Sequence, residues 1–111
     1  GRLKNQIVMA EKTIAGNTVT VDDEGYLQDP TQWSKEIAEE LAKEEGIELT
    51  DTHFAVFEFL RKRFENGEAL TIRSLKNSGI VDIKGFYQLF PGGPLKKSSK
   101  IAGIPKPSSC V

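Results

Sequence analysis

The chain has 111 residues, 38% hydrophobic and 28% charged, with a formal net charge of -1, a balance that fits one ordinary soluble domain with a single modest core. No apolar run approaches the roughly 20 residues needed to span a bilayer, and no basic segment leads into an apolar one as a secretion signal would. The lone cysteine excludes an intramolecular disulfide, so an oxidising compartment is neither required nor exploited and the cytoplasm is the expected location.

Residues 1–9 are set apart as an extension, because Met9-Ala10-Glu11 reads as a start. Thr13 to Val21 is two short β-prone pieces around Gly16-Asn17, which predicts an N-terminal hairpin. Asp22-Asp23-Glu24-Gly25 is a turn leading into Tyr26-Leu27. Asp29-Pro30 reads as a helix cap followed by proline at the first helical position. Trp33, Ile37, Ala38, Leu41 and Ala42 then fall on one face of a helix that Gly46 stops.

A second helix opens at Thr50 or Asp51 with the stripe Phe54, Phe57, Leu60, Phe64, and Asn66-Gly67 breaks it. Thr71 to Asn77 and Asp82 to Phe90 predict two short helices with helix-turn-helix proportions. Pro94 opens a last helix with Leu95, Ser99 and Ala102 inward, stopped by Gly103. The expectation is a mainly α domain: a small orthogonal helical bundle over residues 10–103, with an N-terminal hairpin and a flexible C-terminal arm over 104–111.

Charge is lopsided. Acids dominate between Asp22 and Glu58, whereas after Asp82 only basic side chains occur, at Lys84, Lys96, Lys97, Lys100 and Lys106. An acidic body with a basic arm suits docking on a protein or an anionic substrate; two solvated surfaces give the same pattern. The arm, Ile104-Pro105-Lys106-Pro107-Ser108-Ser109-Cys110-Val111, ends in the one thiol. Pro105 and Pro107 bias it to extended conformations, so ten residues from Lys100 to Cys110 span on the order of 30 Å at about 3.1 Å each. On residue types alone, a reactive thiol carried to a partner and an incidental terminal cysteine both remain open.

Other candidates are thin. A DNA-binding use of the short helix pair would place Arg73, Lys76 and Lys84 on phosphates, against an acidic first half. His53 has no second ligand candidate, and no phosphate loop, nucleophile elbow or zinc spacing occurs, so neither a metal nor a cofactor is expected.

The segments Leu89-Phe90-Pro91-Gly92-Gly93-Pro94 and Lys100 to Val111 strongly resemble the DsrC/TusE sulfur-relay family, supported by Asp22 to Leu27, Trp33-Ser34, Glu45-Gly46-Ile47, and Ile72-Arg73 with Leu75. The resemblance implies a persulfide carrier rather than a free-standing enzyme, with Cys110 accepting and delivering sulfur while inserted into a partner. It implies that Lys100, Gly103, Pro105, Lys106 and Pro107 shape and guide the arm and that Arg73 helps seat it. Implied partners are sulfur-donor and sulfur-acceptor proteins, a tRNA thiolase or a sulfite reductase among them. DsrC proteins proper carry a second arm cysteine that falls here on Ser99, so two-cysteine chemistry within the chain is excluded and a single-thiol relay remains. Two alternatives stand beside it, a regulatory DNA-binding protein and a non-carrying partner of a sulfite reductase.

Overall fold

The computed structural model describes residues 9–107. A two-stranded antiparallel hairpin comes first, β1 (Met9–Ile14) and β2 (Asn17–Asp22). Its two-residue turn is Ala15-Gly16, one position earlier than the Gly-Asn reading, with φ of 52° and 80°. Positive φ at both positions is what lets a tight turn follow the twist of the strands, and Asn17 serves from the side by donating its Nδ2 to the Ala15 carbonyl at 3.2 Å. Ile14, Val19 and Val21 turn one face of the hairpin into the core.

Five α-helices follow: α1 (Lys35–Glu44), α2 (Asp51–Glu65), α3 (Ile72–Ser78), α4 (Ile83–Leu89) and α5 (Pro94–Ile101). The expected first helix is split. Asp29 does cap a turn, accepting from the Thr31 N–H at 3.0 Å and the Thr31 hydroxyl at 2.6 Å, bonds that hold its carboxyl below the usual range. That turn is only a 3-10 piece, Pro30–Gln32, and Ser34 starts α1 afresh by accepting from the Ile37 N–H. Trp33 therefore lies in an extended link (φ -79°, ψ 148°) rather than on the helix face, and its side chain goes elsewhere. Gly46 ends α1 with φ of 73°, as its position requires.

In α2 the buried face is His53, Val56, Phe57 and Leu60, with Phe54 partly covered and Phe64 exposed. The predicted stripe is thus displaced at both ends, because His53 is drawn inward. Its Nδ1 accepts from the Thr50 N–H at 3.0 Å, which leaves the proton on Nε2 to donate to the Leu89 carbonyl at 3.0 Å. This histidine caps one helix and ties it to the end of α4. Among the described residues no group of three acidic, His or Cys side chains could hold a metal ion.

Helix α5 packs against α1, α2 and α4, so the element that leads into the arm runs through the centre of the bundle. Phe57 sits where the aromatic contacts meet, 5.6 Å from Phe54, 5.8 Å from Phe90 and 6.5 Å from Trp33 between ring centroids. Among the described residues, no helix is long and apolar enough to cross a membrane. Because Phe57 is fully buried in this cluster, Phe57→Ala is expected to cost about 3–5 kcal/mol of stability, measured by urea unfolding.

Candidate functional site

Cys110, with Ser108, Ser109 and Val111, lies outside the described residues; the structure begins the arm and defines what holds its base. Ile104 and Pro107 are buried, Pro105 is half-buried and Lys106 is exposed. The first four arm residues therefore lie against the body instead of projecting from it. The physical reason is in the sequence: Ile104 brings a branched apolar side chain, whose burial contributes about 1.5–3 kcal/mol. With 104–107 seated, Cys110 is three residues beyond the last packed position, a contour of about 11 Å at full extension. The longer reach needs those residues to leave the body.

The turn after β2 receives Lys106 from the arm and Lys100 from the end of α5. Asp22 Oδ1 accepts from the backbone N–H groups of Glu24 and Tyr26, both at 2.9 Å, which folds Asp22–Tyr26 into a side-chain-supported turn. That turn presents Glu24, whose carboxylate oxygens lie 3.1 and 3.0 Å from Lys106 Nζ. Gly25 follows with φ of 89°, and a Cβ there would meet Lys100 Cε at 3.0 Å, so the Lys100 stem lies directly on the glycine. Lys100 Nζ ends 3.5 Å from Glu45 Oε2. Glu24, Tyr26, Glu45, Lys96, Lys97 and Lys100 line a concavity of ≈ 180 Å³ beside the arm's base. Burial, reinforced by the Glu24 carboxylate, pushes the Tyr26 phenol above its ordinary value, and Lys106 partly offsets this.

Gly103 stands at the exit from α5. Its φ is 74°, and a Cβ would lie 2.2 Å from Trp33 Cδ1 and 2.5 Å from Cγ, so only glycine fits. The Trp33 Nε1–H donates to the Ile101 carbonyl at 2.8 Å. Arg61 on α2 donates from Nη1 to the Ala102 carbonyl at 2.8 Å. Sequence reasoning missed Arg61, whose partners here are backbone carbonyls. Arg73 is exposed on α3 and lines a different concavity with Phe59, Arg63 and Asn77, one that includes no residue of α5 or of 102–107. Lys76 and Lys84 are likewise exposed on the short helix pair.

Ser99 points inward as its spacing predicted, and its side-chain oxygen is buried with no hydrogen-bond partner among the described residues. Neighbouring Ser98 instead donates its hydroxyl to the Leu95 carbonyl at 3.2 Å. A buried unpaired hydroxyl costs about 1–3 kcal/mol.

A helical body that fixes the base of a cationic arm bearing the chain's single thiol has the layout of a carrier protein. A family model described as "DsrC like protein" matches residues 13–111, and the chain belongs to that family. Curated relatives include the sulfurtransferase TusE of Pectobacterium atrosepticum, 40% identical over 86% of this chain and 95% of that protein. The TusE of Buchnera aphidicola subsp. Schizaphis graminum is 44% identical over 81% of this chain and 86% of that protein. Among solved structures, dissimilatory sulfite reductase I matches with a TM-score of 0.79 at 34% identity, covering 92% of this chain and 100% of that one. The oxidised gamma subunit of the dissimilatory sulfite reductase (DsrC) from Archaeoglobus fulgidus matches with a TM-score of 0.75 at 36% identity, covering 92% of this chain and 100% of that one. These similarities bear out the sulfur-relay reading of the sequence: the protein works as a relay component together with partners.

Ser99→Ala is expected to leave the fold intact and to raise stability by about 1 kcal/mol, because it removes the unpaired hydroxyl. Ser98→Ala, which removes a satisfied hydroxyl on the same helix, should not stabilise; thermal unfolding of the two variants side by side checks the difference.

Proposed function

We propose that Cys110 is the sulfur-carrying residue and that the protein accepts sulfane sulfur from a donor persulfide and hands it to an acceptor. The observation that supports this most directly is the extent of the family match, which runs to residue 111 and so includes the arm and its thiol. The step is an exchange without net oxidation. The Cys110 thiolate attacks the terminal sulfur of R–S–SH, the donor S–S bond breaks, R–S⁻ leaves, and Cys110–S–SH forms. A free thiol ionises near pH 8.5, and a persulfide is more acidic, so the loaded form is the more fully ionised at neutral pH. Basic side chains at Lys96, Lys97, Lys100 and Lys106 on the C-terminal segment suit a cargo of that charge.

Lys100, Gly103, Pro105, Lys106 and Pro107 then act as the arm's shaping and guiding residues. Lys100 and Lys106 are held at the Glu24-Gly25 turn, and Gly103 sets the exit. Seating by Arg73 finds no supporting contact to the arm's described residues. The acceptor we favour is a tRNA-thiolating system in the cytoplasm, because the TusE relatives reach 40–44% identity and Ser99 leaves no second thiol in the arm. A second reading, docking on a sulfite reductase, is favoured by the similarity to the Archaeoglobus gamma subunit.

Incubation with glutathione persulfide, followed by intact-mass measurement, is expected to add one sulfur atom to the wild-type chain and none to Cys110→Ser. Equal loading of the serine variant would remove Cys110 from the mechanism.

A further inference from the structure

Helix ends normally leave backbone acceptors open, yet every carbonyl from 98 to 102 at the end of α5 is taken. Ser98 O accepts from the Ala102 N–H at 2.8 Å, Lys100 O from Gly103 at 3.3 Å and Ser99 O from Ile104 at 3.2 Å. Those three are local and belong to any helix that ends on a left-handed glycine. The remaining two are long-range: Trp33 reaches Ile101 across 68 positions and Arg61 reaches Ala102 across 41.

Arg61 joins these parts. Nη2 donates to the Pro30 carbonyl at 2.9 Å, and the guanidinium carbon lies 4.4 Å from the Trp33 ring centroid. One side chain thus holds the carbonyl before Gly103, the indole packed on Gly103, and the segment that carries the indole. No carboxylate forms an ion pair with it among the described residues. Burial lowers its pKa, with Glu65 opposing, though an arginine stays charged throughout. A half-buried cation with no carboxylate in direct contact is costly; here the Glu65 carboxylate compensates at longer range and two backbone carbonyls do so directly, one at the negative end of α5.

We propose that Arg61 is a positioning residue for sulfur delivery, holding Gly103 through Trp33 and Ala102 as a fixed pivot for the arm. Beyond the pivot, Ile104 is fully buried and its N–H closes the Ser99 carbonyl, so it stays with the helix end. The attachment of 105–107 is weaker in kind, with the packing of Pro107 and an exposed Lys106–Glu24 ion pair among its contacts. Release therefore occurs at 105–107 while 98–104 stay in place, and the direction of exit is kept when the arm leaves the body. The delivery role rests on the carrier reading above; the pivot itself does not.

The chain supplies its own probe pair, since Trp33 is the one tryptophan and Cys110 the one cysteine. Alkylating Cys110 with an iodoacetamide-linked aminonaphthalene acceptor allows time-resolved energy transfer from Trp33 to report the distribution of distances. Unlabelled protein of each variant serves as the donor-lifetime reference. Arg61→Gln is expected to broaden the distribution relative to wild type, and Arg61→Lys to broaden it less, because an ammonium keeps the charge and loses the planar fork. The control Leu75→Val, a cavity in the buried face of α3, should lower the melting temperature and keep the wild-type width. A wild-type width in both Arg61 variants, or equal broadening in the control, overturns the proposal. Should Arg61→Gln not fold, Arg61→Lys alone decides by the same criterion. The measurement involves no sulfur transfer, so failure of Cys110 to load would overturn the carrier reading and leave this result standing.

Discussion

The closed C-terminus of α5 is the constraint on which the rest of the structure depends. Carbonyls at the end of a buried helix must find donors, and two of those donors come from side chains distant in sequence, Trp33 and Arg61. Meeting that need explains why the chain between β2 and α1 is broken into a 3-10 turn and an extended link. In the extended link Trp33 is free of the α1 face, and its indole N–H meets the Ile101 carbonyl. It explains why residue 103 is glycine, since the indole occupies the space a Cβ would take. It also couples the hairpin side of the domain to the arm, because Gln32 in the same turn accepts from the Thr20 N–H at 2.9 Å.

From this follows a division of labour along the C-terminal segment. Residues 94–104 belong to the bundle: Leu95, Ile101, Ala102 and Ile104 are fully buried, and the junction at Gly103 is covered by aromatic packing. Residues 105–107 are attached by more modest terms, among them the packing of Pro107 and an exposed Lys106 ion pair contributing about 0–1 kcal/mol. Such an attachment is strong enough to seat the base of the arm and weak enough for a partner to displace it. A carrier needs both properties, because its thiol must be presented reproducibly and still enter another protein.

Much of this was legible in the sequence, and what was not has physical causes. The arm motif and its thiol, the inward turn of Ser99, the starts of the short helices at Thr71 and Asp82, and the glycine stops come from local rules that act within a few residues, whereas the restart of α1 at Ser34 did not show. The face of α2 did not, since a period of 3.6 leaves two overlapping stripes and only tertiary packing, against α5 and the end of α4, selects the one containing His53. Trp33 looked like an ordinary helix-face aromatic because its partner is a backbone carbonyl, which leaves no trace in residue type. Arg61 was hidden for the same reason, among neighbouring basic residues whose charges suit a helix end equally well. The packed base of the arm was masked by its prolines, which signal extension without saying whether the extended segment is seated.

The junction can be interrogated at one proton. Exchange of the Trp33 indole Nε1–H, followed by NMR after transfer into D₂O, reads directly whether Ile101 is capped by that side chain while the arm is in place. Exchange as slow as that of the amides in the middle of α5 is expected. Exchange at the rate of a solvent-exposed indole would mean that the helix end is open, and that the arm has no fixed base from which to deliver its sulfur.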